Sequence, residues 1–376
     1  MVKQLTNQHI SRKEKAIIKT KKMKILQNDI KTLLFNGTVI PAHPLALNKD
    51  LSIDEKRQRL LTNYYMACGA GGVAVGVHTT QFEIRKPEFN LLEPVLSMAA
   101  EEIDKAKLKK PFIKVAGICG STETAIKEAE LAVKYGYHLG LLSNGGLQQL
   151  TEKELLTRAA AIAEVIPLFG FYLQPAVGGR RLSYDFWRGF ADIPNVQAIK
   201  VAAFNRYQTL DVVRAVCHSS RRDEIVLYTG NDDNIIADLL IPYHFKINEK
   251  IIEKRFAGGL LGHWAVWTKK AVELLSEIKA CINNGYENIE DLLIKSAEVT
   301  DMNAVIFDAE NSFHGCISGI HEVLRRQGLL KYIHCLEAKE TLSPGQAEEI
   351  DRVIKQHSHL VDDEFVKEFL TNNINK

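Results

Sequence analysis

From about Asn36 onward, short apolar runs alternate with longer segments of helical periodicity, and the alternation repeats eight times. An apolar run too short for a helix and bounded by turn residues reads as a strand buried on both faces. Strands separated by helical segments pair in parallel through crossover connections. The strand candidates are Thr38 to Ala42, Gly72 to Val77, Phe112 to Gly117, Leu139 to Leu142, Leu168 to Leu173, Val196 to Val201, Ile225 to Thr229 and a Gly-rich run at Gly258 to Gly262. Eight such units in roughly 250 residues match the size of a closed barrel. An open doubly wound sheet seldom repeats so regularly, and no dinucleotide fingerprint follows the first run. The spacing therefore predicts an α/β chain built as a (β/α)8 TIM barrel over residues 31–284, preceded by a basic tail at 1–30 and followed by a helical extension at 285–376.

Helix starts carry the expected chemistry. Ser52 with Glu55 and Thr151 with Glu154 read as capping boxes, and Thr209 reads as the cap of a helix beginning at Leu210. After a helix from about Trp267 to Ile282 the strand signals cease, and Asn288 to Lys295, Ile317 to Gln327, Ser343 to Gln356 and Asp363 to Leu370 read as helices. Ser343 with Pro344 and Gln346 reads as a capping box with proline in the first turn.

Composition narrows the function classes. A formal charge of only +2, with Lys and Arg dispersed along the chain, predicts no nucleic-acid partner. No segment reaches membrane-spanning length, and the Lys-rich start lacks the apolar core of a secretory leader. The six cysteines, Cys68, Cys119, Cys217, Cys281, Cys316 and Cys335, form no Cys-x-x-Cys pair, which argues against a zinc ribbon and a disulfide scaffold. These features read as a protein of the reducing cytoplasm, with no membrane association.

One lysine carries a chemical hypothesis. An amine that attacks a ketone must be unprotonated near neutral pH, which requires a dry pocket that lowers its proton affinity. Lys200 closes the sixth run, Val196-Gln197-Ala198-Ile199-Lys200-Val201, where strand alternation turns it to the side of Ala198 and Val196. If that side is the barrel interior, the amine points into the mouth, where active sites of this architecture are built. A strand-end lysine more often reaches into solvent, and Lys114 on the third run is an equally apolar rival. Tyr172 on the preceding strand favours Lys200, because neighbouring strand ends approach closely and a phenol can relay protons. A core tyrosine with its hydroxyl satisfied by backbone is the plainer reading.

Tyr172-Leu173-Gln174-Pro175 followed by Ile199-Lys200 resembles the Tyr-x-x-Pro and strand-six lysine of the dihydrodipicolinate synthase and N-acetylneuraminate lyase family. Gly117-Ile118-Cys119-Gly120-Ser121-Thr122-Glu123 is similar to its Gly-rich turn after strand three. Tyr228-Thr229-Gly230-Asn231-Asp232-Asp233 is similar to its strand-seven Gly-x-Asp turn, and Gly258 to Gly262 to its strand-eight Gly-x-x-Gly. The resemblance implies a Schiff base between Lys200 and a 2-oxo acid such as pyruvate, with Tyr172 as general acid and base. Neither cofactor nor metal is needed. It also implies assembly as a homodimer or homotetramer.

Departures from the pattern fall on the substrate side. Where the family shows Gly-Thr-Thr-Gly-Glu after strand two, this chain reads Gly76-Val77-His78-Thr79-Thr80-Gln81. Thr79 and Thr80 retain the hydroxyls that hold a keto acid carboxylate, and His78 adds either a titratable or a structural imidazole. The second tyrosine of the synthase is absent from Leu141-Leu142-Ser143-Asn144-Gly145-Gly146, and its second-substrate arginine is Val177, with Arg180 and Arg181 nearby. The substrate-binding candidates are His78, Thr79, Thr80, Asn144, Gly230 and Arg206, the last beside Tyr207 in the loop after Lys200. Asp308 to His314 reads as a segment packed over the mouth, with Asn311 or His314 toward substrate and no metal role. His263, Trp264 and Trp267 line a pocket or fill a core. The expected function is a Schiff-base lyase, aldolase or dehydratase acting on a 2-oxo acid or sugar acid. A non-catalytic metabolite-binding barrel and a metal-dependent aldolase on the same architecture are the alternatives.

Overall fold

The computed structural model describes residues 24–373, so most of the basic tail lies outside the described residues. Eight parallel strands form one sheet in the order β1-β10-β7-β6-β5-β4-β3-β2. They are β1 (Val39–Pro41), β2 (Gly72–Val75), β3 (Ile113–Ile118), β4 (Leu139–Leu142), β5 (Leu168–Leu173), β6 (Val196–Ala202), β7 (Val226–Thr229) and β10 (Phe256–Leu261). The sheet closes where Ala42 bridges Ala74 and the His43 amide donates to the Ala74 carbonyl at 2.8 Å. Every residue of β2 to β7 is buried, which is why these strands read as unbroken apolar runs. The chain is thus a TIM barrel with a C-terminal helical extension.

Strand alternation divides the core in two. Ile40, Ala74, Val115, Leu141, Phe169, Ala198 and Leu260 fill the barrel interior, while Val73, Ala116, Leu142, Ile199, Val201 and Leu227 face the surrounding helices. Val196 lies with the outer group although Ala198 lies inside. The cause is an irregularity that pairs Leu168 with Val196 but Phe169 with Ala198, so the expected sharing of one face among Val196, Ala198 and Lys200 holds only from Ala198 onward.

Residues 24–30, grouped in sequence with the tail, already belong to the barrel. Leu26, Ile30 and Leu34, the last two on the helix Asn28–Asn36, join the interior cluster. The Tyr228 hydroxyl donates to the Leu34 carbonyl at 2.8 Å and accepts from the Thr38 amide at 3.2 Å, tying that helix to β7.

The helix caps show where local pattern yields to context. Thr151 and Glu154 form the expected box. Ser52 does not cap: Asp54 takes the position and accepts from the Arg57 amide at 3.0 Å. The helix expected from Leu210 begins at Arg206, because Asn205 caps the Gln208 amide at 3.0 Å. Ser343 keeps half of its box, its amide donating to Gln346 Oε1 at 3.1 Å, while its hydroxyl goes to Asp308 Oδ2 at 2.6 Å.

Strands β8 (Tyr243–Ile247) and β9 (Lys250–Lys254) form an antiparallel hairpin that sequence reading overlooked. Its turn residues Asn248 and Glu249 both have positive φ, at 48° and 63°, as a two-residue hairpin turn requires. After the barrel come the helices Thr268–Asn283, Ile289–Ile306, Cys316–Arg326, Gln346–Gln356 and Asp363–Asn373. Among the described residues, no helix is long and apolar enough to cross a membrane.

Candidate active site

Lys200 sits in β6 with Phe171 of β5 and Tyr228 of β7 as its lateral partners. It is 7% exposed, and its ammonium nitrogen lies 4.5 Å from the centroid of the Phe171 ring. Burial lowers its affinity for a proton, and the Asp232 carboxylate partly offsets that by raising it. The side chain enters a cavity at the C-terminal ends of the strands, the end at which barrels of this architecture build their sites. The polar side chains of the wall are His78, Thr79, Gln174, Lys200 and Asp232.

Asp232 is the acidic partner of the site. The His263 amide donates to its Oδ1 at 2.9 Å, and Asn303 Nδ2 donates to its backbone carbonyl at 2.6 Å, so one bond holds the carboxylate and another the backbone that carries it. Desolvation raises its affinity for a proton, an effect that the nearby lysine and the His263 amide moderate. A buried acid and a buried amine facing one cavity are groups whose surroundings push them toward the neutral forms needed for proton exchange near pH 7. His78, within 5.9 Å of the Phe82 ring, is lowered to about 4 by burial and by Lys200, and is therefore a neutral imidazole at physiological pH.

Gly230 lines the wall because nothing larger fits. A Cβ there would stand 2.5 Å from Lys200 Cε and 2.9 Å from Ala202 Cβ. Gly230→Ala should push the amine off its line of attack. Since a displacement of about 1 Å can cost roughly 100-fold in rate, a loss of that order is expected, with a near-normal far-ultraviolet spectrum. Deuterium exchange at the methyl of pyruvate, followed by NMR, measures it; an unchanged rate would show that the lysine stem relaxes freely.

The structure brings His78, Thr79 and Gly230 together with Lys200 and leaves the other candidates elsewhere. Thr80 supports the loop instead, donating to the His43 carbonyl at 2.7 Å and accepting from the Gly76 amide at 3.0 Å. Asn144 accepts from Arg158 at 3.3 Å outside the cavity wall, and Arg206 pairs with the buried Asp238. Lys114 faces outward and binds Asp104 at 2.9 Å, which removes it as a rival.

Tyr172 is the principal correction. It pairs laterally with Val201, and both belong to the outer core. Its ring lies 5.2 Å from that of Trp187 with the planes tilted by 34°, and its hydroxyl donates to Gln208 at 2.8 Å and accepts from the Leu182 amide at 3.3 Å. The residue of β5 that faces Lys200 is Phe171, one position earlier. The available signal was parity: Phe169, Phe171 and Leu173 share the interior face.

Other expectations divide similarly. His263, Trp264 and Trp267 are buried but absent from the cavity wall. The segment Asp308 to His314 does cover the mouth, but through Phe313, while Asn311 bonds Asp308 and His314 is exposed. Sequence reasoning also missed Asp232, although it lies within a motif that the reading quoted. No group of three His, Cys, Asp or Glu able to hold a metal occurs among the described residues.

Comparison with known proteins places this barrel. Residues 36–244, more than half of the chain, match the model of the dihydrodipicolinate synthetase family. The chain belongs to that family. Within it, the chain is 27% identical over 193 residues to a 4-hydroxy-tetrahydrodipicolinate synthase of Clostridium novyi, covering 50% of this chain and 60% of that one. It is 27% identical over 205 residues to an N-acetylneuraminate lyase of Citrobacter koseri, covering 54% and 65% respectively. The matches thus span under two thirds of these curated relatives. The fold agrees with that of dihydrodipicolinate synthase from Acinetobacter baumannii, solved with pyruvate, at a TM-score of 0.68 and 19% identity over 85% of this chain and 98% of that one. It also agrees with N-acetylneuraminate lyase from Fusobacterium nucleatum, solved with pyruvate, at 0.66 and 16% over 86% and 97%. The dihydrodipicolinate synthetase family is one of class I lyases.

Proposed function

We propose that this protein is a Schiff-base lyase, aldolase or dehydratase acting on a pyruvate-like 2-oxo acid, with Lys200 as nucleophile. The observation that carries the reading is the amine itself, buried in an apolar cavity at the barrel mouth and shifted toward its free form. It attacks the ketone carbon, and the carbinolamine then loses its hydroxyl as water, taking up one proton in the process. Asp232, disposed by burial to hold a proton, supplies it and as carboxylate accepts one in the reverse direction. The protonated imine withdraws electrons from the adjacent carbon, so a carbon–carbon or carbon–oxygen bond one position away can break or form. The Thr79 hydroxyl, bonded to the His43 carbonyl at 3.3 Å in this structure, is the neutral hydroxyl of the wall suited to the carboxylate.

Phe171 in place of a phenol beside Lys200 supports a second reading, a barrel that captures a metabolite without turning it over. Borohydride reduction in the presence of pyruvate, followed by peptide mapping, tests the Schiff-base step. An adduct on Lys200 is expected; no adduct, or one confined to other lysines, would sink the Schiff-base reading and favour the binding barrel. Exchange of the pyruvate methyl protons with solvent separates the two, since only a working site forms the enamine.

A further inference from the structure

Two phenylalanines at the cavity mouth occupy backbone conformations that bulky side chains avoid. Phe204 has φ +49° and Phe313 φ +68°, and Asp308 and Ser312 beside the latter are also left-handed, at +55° and +57°. Such a conformation is strained and persists only where its surroundings over-determine it. Here they do. The Phe204 amide donates to Asn231 Oδ1 at 2.9 Å, and Asn231 is itself held by Asp238 Oδ2 at 2.8 Å and Thr209 at 3.2 Å. The Asp308 carboxylate accepts from Asn311 Nδ2 at 2.6 Å, the Gly315 amide at 2.9 Å and the Ser343 hydroxyl at 2.6 Å, while the Phe313 amide returns to the Asp308 carbonyl at 2.9 Å.

Two polar clamps, one in the barrel and one in the extension, thus hold two strained loops so that their rings meet over the cavity. The rings lie 5.7 Å apart with planes at 85°, a favourable edge-to-face pair. Leu173, Val177, Phe307 and Cys316 line the same cavity, and in the wall as a whole apolar side chains outnumber the polar ones of His78, Thr79, Gln174, Lys200 and Asp232. A sugar chain lodged there would bury several hydroxyls against carbon, and each one left unpaired weakens binding. An aromatic or branched aliphatic group meets matching surface.

We infer that the part of the substrate distal to the imine carbon is apolar or aromatic, so that the site discriminates against polyhydroxylated sugar acids. This rests on the Schiff-base reading. Its test uses the purified full chain and borohydride trapping at Lys200, recording the concentration for half-maximal adduct. The probes are pyruvate, 4-phenyl-2-oxobutanoate and a polyhydroxylated 2-oxo acid of similar length. The phenyl acid should trap at a concentration at least about tenfold below the hydroxylated one. Phe313→Ala should narrow that ratio severalfold; if this variant does not fold, Phe313→Ser in the same assay serves in its place. Failure of pyruvate itself to trap would remove the Schiff-base reading and this inference with it. Pyruvate trapping with the hydroxylated acid equal or better, or a ratio unchanged in a folded Phe313 variant, would overturn the inference alone.

Discussion

Lys200→Met should abolish both borohydride trapping and exchange of pyruvate methyl protons, the latter by at least about 1,000-fold, while raising the melting temperature. Loss of chemistry follows because, among the described residues, no other lysine lines the cavity. The gain in stability follows from the same burial that activates the amine. A methionine fills most of the lysine stem's volume beside Phe171 and Ala202 and needs no hydration. The sign with pH is fixed. Lys200 has a folded proton affinity below its ordinary value of 10.5, so between the two values the unfolded chain binds more protons and wild-type stability rises with pH. The advantage of the methionine variant should therefore be greatest below the lowered value and shrink as pH climbs toward 10.5. Thermal unfolding from about pH 6 to 9.5 measures it. A variant less stable than wild type throughout would mean that the amine is well solvated, contrary to the basis of its reactivity.

How much of this site was legible in the sequence depends on the range of the interactions that set it. Leu139 to Leu142 and Leu168 to Leu173 are strands with the boundaries that their apolar runs announced, because a strand buried on both faces needs little beyond its own composition. Lys200 faces inward as alternation within one strand implied. Which residue of β5 meets it is a different matter. That depends on how β5 and β6 are staggered, and the irregularity between Leu168–Val196 and Phe169–Ala198 sets it through contacts nearly thirty residues apart in the chain. The Tyr-x-x-Pro likeness suggested Tyr172, one residue out of phase with the interior face, and a one-residue slip exchanges inside for outside. The cover of the mouth was legible as a segment but not as a side chain. Asp308, Asn311 and His314 attracted attention as polar groups, yet Asp308 and Asn311 hold the loop and Phe313 does the lining. The hairpin at Tyr243–Lys254 carried a fair signal in its alternating Tyr243-His244-Phe245-Lys246-Ile247, but an inserted hairpin has no place in a β-then-α rhythm.

Asp232→Asn separates the acid from the amine. On the Schiff-base reading, with no tyrosine in the cavity wall among the described residues and the Tyr228 hydroxyl bonded to Leu34 and Thr38, proton transfer to the departing carbinolamine hydroxyl and from the methyl carbon falls to Asp232, and its loss should slow methyl exchange by roughly 100- to 10,000-fold, the usual contribution of a positioned acid or base. Imine formation should survive, because nucleophile and cavity remain and water can carry protons slowly, so borohydride still yields an adduct at Lys200 after longer incubation. The pH dependence discriminates further. Asp232 raises the lysine's affinity for a proton, so an uncharged amide in its place lets that affinity fall further, and the rise in trapping with pH should move to lower pH than in wild type. A purely structural role, acting only through the 2.9 Å bond from the His263 amide, would leave that profile where it was, since asparagine can accept the same bond. Methyl exchange at the wild-type rate would hand the proton relay to the neutral His78, which also lines the cavity.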